Sequence, residues 1–104
     1  MKTNTKTVCV IVPAYNEATV IKDVIKQSKR VFAKAKAAGY TIDVVLVNDG
    51  SKDDTLTQAK KGGAITIDHI LNSGAGGATL TGLSYARQHG YDIAATMDAD
   101  GQHA

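Results

Sequence analysis

The sequence of residues 8–13 is Val8-Cys9-Val10-Ile11-Val12-Pro13, a continuous apolar run that is rich in β-branched side chains. Such a run is typical of a strand that is covered on both faces, as the strands of a parallel sheet are. We expect Pro13 to end this strand, because proline has no N–H to donate to a sheet. We expect the single cysteine, Cys9, to be buried as a small apolar side chain.

Strand and helix candidates alternate along the rest of the chain. Apolar runs predict further strands over residues 43–47, 65–71 and 91–97. The spacing of apolar residues predicts helices over residues 17–38 and 54–61 and a third helix after a glycine-rich turn at residues 72–78. This alternation indicates a parallel sheet with helices on both faces, joined by right-handed crossovers. The predicted fold is therefore an α/β, Rossmann-like sheet of about four strands, in a single domain covering residues 1–104.

Capping residues mark the ends of the first two predicted helices. Asn16 can cap the start of the first helix, and Gly39 can adopt the left-handed backbone conformation that is typical of a helix end. Ser51 or Asp53 can cap the second helix, which the glycines at 62 and 63 should stop.

The third predicted helix carries its larger apolar side chains in a helical spacing. We expect Leu80, Leu83, Ala86 and Tyr85 to face the sheet, and the helix to end at His89-Gly90.

Composition narrows the class of protein. The chain has 104 residues, of which 43% are apolar and 21% charged, and its formal net charge is +2. These values favour one folded core over a disordered chain, and they give no electrostatic support for nucleic-acid binding. One cysteine excludes a disulfide framework, and the apolar run at residues 8–12 is too short for a signal-peptide core or a membrane span. We therefore expect a cytoplasmic protein.

Polar segments follow three of the four predicted strands: residues 13–17, 48–51 and 98–100. The carboxyl ends of parallel strands share one edge of the sheet, and ligands of α/β folds bind there. If the fourth strand pairs beside the first, the first and last of these segments face each other across one crevice. Asp98 and Asp100 could then hold a divalent cation against a diphosphate, although an isolated Asp-x-Asp is also typical of a solvated turn.

Four motifs together resemble the nucleotide-sugar-binding part of a family 2 glycosyltransferase of GT-A fold. They are Val10-Ile11-Val12-Pro13-Ala14-Tyr15-Asn16-Glu17, Val47-Asn48-Asp49-Gly50-Ser51-Lys52-Asp53-Asp54-Thr55, Asn72 with the glycines through Gly82, and Met97-Asp98-Ala99-Asp100-Gly101-Gln102-His103. The ending most resembles the branch that transfers a sugar to a dolichyl or polyprenyl phosphate. The resemblance implies a donor crevice, with the acceptor half and any membrane-anchoring helices outside residues 1–104.

Roles follow from the resemblance by position. Pro13, Tyr15 and Glu17 would border the base and ribose. Asn48 and Asp49 match a pair that is usually Asp-Asp, and Asn48 can still accept a hydrogen bond from a base N–H without carrying a charge.

The final motif implies the metal site. The resemblance implies that three side chains hold Mg²⁺ or Mn²⁺ on the diphosphate oxygens: Asp98, Asp100 and Gln102. Asp98 would also contact the donor. His103 would be either a neighbour of the metal or an ordinary exposed histidine. The implied reaction is an inverting transfer from a nucleotide-diphosphate sugar to a polyprenyl phosphate or a glycan. The residue acting as catalytic base is not identified, and a longer form could lie peripherally at a membrane.

Two other interpretations stay open. The glycines at 74–77 partly match a dinucleotide-binding fingerprint, but Thr79 stands where its third glycine belongs. This fingerprint would indicate a dehydrogenase, but a dehydrogenase interpretation gives residues 13–17 and 48–51 no role. Alternatively, the chain is a truncated, non-catalytic nucleotide- or metal-binding module that associates with another chain. An open sheet edge would make self-association possible. His69 and His89 are interpreted as strand-edge and helix-end residues.

Overall fold

A computed structural model describes residues 5–69 and 74–99, the side chain of Ala75 excepted, and these form an α/β/α sandwich. Its elements are β1 (Lys6–Ala14), α1 (Ile21–Ala33), β2 (Tyr40–Asp49), α2 (Thr55–Gly62), β3 (Ile65–His69), α3 (Gly74–Gln88) and β4 (Ile93–Thr96). A 3₁₀ segment, Lys34–Ala38, continues α1. The predicted alternation of strands and helices is confirmed.

The four strands form one parallel sheet in the order β3-β2-β1-β4. Ile11 lies between Val45 of β2 and Thr96 of β4, so β1 is a central strand. The chain first moves from β1 outward to β3 and then crosses to the opposite side of β1. The predicted pairing of the fourth strand with the first is confirmed, and β1 borders the point where the direction of winding reverses.

Each face of the sheet has its own core. Ile21 and Ile25 of α1 and Ala59 of α2 pack on one face, against Val12 and Leu46. On the other face, Ala78 and Ala86 of α3 pack with Ile11, Val45 and Val47. Cys9 is buried in this second core, as predicted; burial raises the pKa of its thiol, and the nearby Asp43 carboxylate adds to the effect.

Pro13 does not end β1, contrary to the prediction. It lies inside the strand, in register with Val47 of β2, and β1 continues to Ala14. The pairing of β1 with β4 stops earlier, at Ile11. Along a central strand, the main-chain N–H and C=O groups of successive residues point in turn toward the strand on one side and the strand on the other. The carbonyl of Ile11 points toward the chain after β4. Pro13 has the same orientation beyond the end of β4, so its missing N–H interrupts no ladder there.

Asn16 does not cap α1, contrary to the prediction. Its φ is +54°, in the left-handed region that asparagine tolerates, and the helix begins only at Ile21, after Val20 and without a side-chain cap. The predicted left-handed end of the helical segment is confirmed at Gly39, where φ is 92°.

The inward face of α3 differs from the prediction. Leu80 and Leu83 are 66% and 41% exposed, whereas Ala86 is buried as predicted and Tyr85 is partly buried against the second core. Gly82 faces Ile11 so closely that a Cβ placed on it would lie 2.3 Å from the Ile11 Cγ2 atom. Small side chains let the helix approach the sheet, and this leaves the two leucines on the outer side.

The glycines before α3 also differ from the prediction. Gly76 and Gly77 lie in the first turns of α3, which begins at Gly74, instead of forming a loop. Glycine adopts helical and left-handed backbone angles equally well, so the sequence alone does not decide between the two. The predicted third strand agrees with β3 as far as His69; residues 70 and 71, and Asn72 of the glycine motif, lie outside the described residues.

Strand β4 is an edge strand, and all four of its residues are exposed. It is shorter than predicted, because Tyr91 and Met97 lie just outside it. Two contacts fix its amino end. The Tyr91 hydroxyl donates to the Asp43 carboxylate over 2.6 Å, and Asp92 accepts from the N–H of Thr7 over 2.8 Å. Burial and the Asp43 carboxylate together raise the pKa of Tyr91 well above its usual range.

Candidate functional site

Three chain segments meet at the carboxyl edge of the sheet: the β1–α1 loop, the β2–α2 loop and the residues after β4. The third segment continues alongside β1, because the N–H of Met97 donates to the carbonyl of Ile11 over 2.9 Å. The hydroxyl of Ser28 on α1 donates to the Met97 Sδ over 3.5 Å. Asp98 follows as an exposed residue and Ala99 is buried. The predicted convergence of the polar segments is therefore present as far as Ala99, and Asp100 lies outside the described residues.

Four hydrogen bonds join the β1–α1 loop to the segment from Ser51 to Thr55. The bonds are Asn16 N to Ser51 Oγ (2.9 Å), Lys52 N to Asn16 Oδ1 (2.8 Å), Glu17 N to Thr55 Oγ1 (2.8 Å) and Ala18 N to Asp53 Oδ2 (3.2 Å). Three of the four donors are main-chain N–H groups of residues 16–18. The left-handed backbone of Asn16 turns its side chain toward the second loop, so this residue joins two loops where a helix cap was predicted.

Asp53 and Thr55 organise the start of α2. Asp53 Oδ1 accepts from the N–H of Thr55, the first residue of α2, over 3.0 Å, and also from its hydroxyl. The sequence left Ser51 and Asp53 open as caps of this helix, but the N-cap position is Asp54, which makes no side-chain cap hydrogen bond. Asp53 lies one residue earlier, and Ser51 accepts from the N–H of Asn16. The hydrogen bond from the Thr55 hydroxyl, aided by the N–H groups of Thr55 and Ala18, lowers the pKa of the Asp53 carboxyl below its usual range.

We expect the stabilising effect of the Asp53 carboxylate to disappear in acid. Its pKa is lower in the folded chain than the value of about 3.9 for an unperturbed aspartate, so the unfolded chain binds the proton more tightly. The contribution is therefore complete above about pH 4 and is lost as the pH falls through the folded-state value. Urea unfolding of the wild type and Asp53→Asn from pH 6 to pH 2.5 should show a stability gap that narrows below about pH 4. A gap of constant size would contradict this assignment.

Asn48 and Asp49, predicted as one pair, lie on opposite faces of the sheet. Successive side chains of a strand alternate between faces, and the contacts agree: Asn48 donates through Nδ2 to Asp68 Oδ1 over 2.9 Å. Asp49 Oδ1 lies 3.1 Å from Nδ1 of His69 on the α3 side. The two side chains are 5% and 3% exposed. The pair therefore offers two separate polar positions.

His69 connects three elements at this edge. Its Nδ1 contacts Asp49, and its Nε2 lies 2.7 Å from the hydroxyl of Thr81 on α3. His69, interpreted from the sequence as a strand-edge residue, is the last residue of β3, and His89, interpreted as a helix-end residue, directly follows α3. The contacts of His69, and the roles of Asp68 and Thr81, were not predicted. They depend on the strand register, which pairs Asn48 with Asp68 and Asp49 with His69. The sequence of β3 alone does not predict this register.

Pro13, Tyr15, Glu17 and Asp98, which were also predicted as site residues, lie around the same edge. Tyr15 is 43% exposed, Pro13 and Glu17 are half-buried, and Asp98 is exposed. Asp100, Gln102 and His103 lie outside the described residues. Within residues 5–69 and 74–99, no three His, Cys, Asp or Glu side chains are grouped so that they could hold a metal ion. Among the same residues, no helix is long and apolar enough to cross a membrane.

Several proteins have sequences similar to this chain. It is 43% identical over 100 residues to an uncharacterised protein of Methanocaldococcus jannaschii, covering 96% of this chain and 38% of that protein. It is 38% identical over 117 residues to a UDP-N-acetylglucosamine–dolichyl-phosphate N-acetylglucosaminyltransferase of Methanococcus voltae, covering 95% and 43%. A dolichyl-phosphate β-glucosyltransferase of Drosophila melanogaster is 38% identical over 102 residues, covering 88% and 30%. The chain thus spans less than half the length of these relatives.

The fold and the family agree with these likenesses. The crystal structure of a mycobacterial protein superposes with a TM-score of 0.70 at 25% identity, covering 91% of this chain and 31% of that one. The predicted Rossmann-like α/β sheet, part of a GT-A fold, is consistent with this match. The model of the family described as Glycosyl transferase family 2 matches residues 9–104. The chain therefore belongs to glycosyl transferase family 2.

Proposed function

We propose that this chain forms the donor-binding part of a glycosyltransferase that uses a nucleotide-diphosphate sugar. The observation that carries the proposal is the meeting of the β1–α1 loop, the β2–α2 loop and the segment after β4 at one edge of the sheet. Four hydrogen bonds hold the two loops together, and Met97 directs the third segment alongside β1. Ligands of α/β folds bind at this position, beside the strand where the winding reverses.

Each predicted donor-binding residue has a place in this proposal. Tyr15 offers a flat, accessible ring to the base, beside Pro13, and Glu17 offers a carboxylate to the ribose hydroxyls. Asn48 and Asp49 supply polar groups on the two faces of the β2 end. The diphosphate then lies toward Asp98, on the far side of β1.

The side chains of the last motif suit a divalent cation. Asp98 presents an exposed carboxylate at the carboxyl edge, and Asp100 and Gln102 would add a carboxylate and an amide oxygen. Oxygen ligands of this kind bind Mg²⁺ and Mn²⁺, which usually keep some sites for substrate phosphates. When bound, the cation offsets negative charge on the departing nucleoside diphosphate.

The proposed acceptor is a polyprenyl phosphate, because similar proteins are named for transfer to dolichyl phosphate and undecaprenyl phosphate. One of its phosphate oxygens attacks the anomeric carbon from the face opposite the diphosphate. The bond from that carbon to the diphosphate oxygen breaks, and configuration inverts. An ionised phosphate needs little base catalysis, whereas a glycan hydroxyl would need a carboxylate base. A lipid acceptor also implies that the protein works peripherally at a membrane surface.

Metal-dependent nucleotide binding tests this proposal. We expect calorimetry to show at least about tenfold tighter binding of UDP or GDP with Mg²⁺ or Mn²⁺ than with EDTA, since a cation bridging protein and diphosphate adds about 1.4 kcal/mol or more. Asp98→Asn should remove most of this metal effect. Asp23→Asn, which alters an exposed carboxylate on α1, is the matched control and should keep it. Equal affinity with and without metal would overturn the metal role, and no binding of either nucleotide would overturn the donor site.

A further inference from the structure

The Asn48 side chain has an acceptor that nothing in the described structure uses. It is 95% buried, since only 5% of it is exposed, and its Oδ1 atom has no hydrogen-bond partner. A buried polar atom without a partner costs about 1–3 kcal/mol. Such an atom in a native structure calls for a partner, and at the proposed donor site we assign that partner to the ligand. Here that ligand must bring a donor, because the atom is a carbonyl oxygen.

The contact with Asp68 determines which atom of the Asn48 side-chain amide has no hydrogen-bond partner. The Asp68 carboxylate only accepts hydrogen bonds, and its Oδ1 lies 2.9 Å from Nδ2 of Asn48. A rotated amide would place two oxygens against each other, so the contact with Asp68 fixes the orientation. The strand register places the pair side by side, with Ala14 of β1 on the other side of Asn48.

We propose that Asp68 is a positioning residue that holds Asn48 as a hydrogen-bond acceptor and so selects a donor nucleotide whose base carries a ring N–H. This inference rests on the proposed donor site. Uracil presents N3–H to such an acceptor, whereas the corresponding N3 of cytosine is itself an acceptor and would be repelled. A relative that is 38% identical is named for a UDP-linked sugar, which favours uracil among the bases with a ring N–H.

Asp68→Asn removes the constraint without changing the shape of the side chain. An asparagine at position 68 can accept from Asn48 or donate to it, so the Asn48 amide can take either orientation. The double variant Asn48→Asp/Asp68→Asn exchanges the two groups. Its new carboxylate accepts from the amide at position 68 and keeps a second oxygen for the base, so the acceptor is restored.

Competition calorimetry with Mg²⁺ present tests the inference on the full chain, with UDP, CDP and N3-methyl-UDP as ligands. The wild type should bind UDP at least about tenfold more tightly than CDP or N3-methyl-UDP, the effect of one buried hydrogen bond. Asp68→Asn should bring the three affinities within about threefold, and the exchanged pair should restore the preference for UDP. Asp23→Asn should leave the ratio unchanged.

The outcomes separate this inference from the proposed function. If UDP and CDP bind the wild type equally well, or if Asp68→Asn keeps the wild-type ratio, the role of Asp68 is wrong while the donor site stands. If no nucleotide binds, both are wrong. Circular dichroism verifies that each variant folds. Should Asp68→Asn fail to fold, the wild-type ratio, the N3-methyl-UDP result and the exchanged pair still decide the matter.

Discussion

Gly82→Ala is expected to lower the free energy of unfolding by about 2–3 kcal/mol, the upper part of the range of about 1–3 kcal/mol for overpacking a filled core. The added methyl carbon would lie 2.3 Å from Cγ2 and 2.9 Å from Cγ1 of Ile11, a fully buried residue on the central strand β1. Either α3 must move away from the sheet or Ile11 must adopt a strained rotamer. Alanine favours helix over glycine by about 1 kcal/mol, which is too little to offset this. Denaturant unfolding measures the change.

Gly76→Ala is the matched control for this prediction. Gly76 also lies in α3, but a Cβ placed there meets no atom within 4 Å. Its stability should stay unchanged or rise by up to about 1 kcal/mol. In a double-mutant cycle with Ile11→Ala, the cost of Gly82→Ala should shrink, because the clashing atoms are gone. A harmless Gly82→Ala would show that α3 does not pack closely on β1.

The sequence predicted the sheet better than the packing of its helices. Runs of β-branched residues such as those at 8–12 and 44–47 identify buried strands directly, and alternation with helices then allows few topologies. The inward face of α3 was predicted from the sizes of Leu80 and Leu83. A helix lying close to a strand needs small residues instead, and that distance depends on Ile11, which is far away in the sequence. The hydrophobicity of the helix residues alone therefore cannot predict how closely α3 packs on the sheet.

In the candidate site too, the sequence predicted the positions of the strand ends but not the contacts between side chains. Polar residues that follow strands were expected at one edge, because all strands of a parallel sheet run the same way. The opposite directions of Asn48 and Asp49 follow from strand alternation alone. The contacts of Asp68 and His69 require the register between β2 and β3, which the hydrophobic pattern of the short β3 does not fix. The role of Asn16 depends on a left-handed backbone that a helix-start pattern conceals.

Thr55 is a buried link between the two site loops. It is fully buried; its hydroxyl accepts from the N–H of Glu17 over 2.8 Å and donates to Asp53. One oxygen therefore joins the β1–α1 loop, the start of α2 and a carboxylate. Valine has nearly the same shape but lacks both hydrogen bonds, so Thr55→Val isolates their effect from that of packing.

Thr55→Val is expected to lower the free energy of unfolding by about 2–3 kcal/mol, since it removes one hydrogen bond to a charged group and one to a main-chain N–H. UDP binding should weaken as well, because the loop that carries Tyr15 loses an anchor. Thr55→Ser keeps the hydroxyl and should retain the affinity. Thr57→Val, at an exposed position of α2, should change stability by no more than about 0.5 kcal/mol. Urea unfolding and calorimetry on the four proteins measure both effects. If Thr55→Val lowers stability but leaves UDP affinity intact, the hydroxyl supports the fold alone and the two loops need not be joined for the donor to bind.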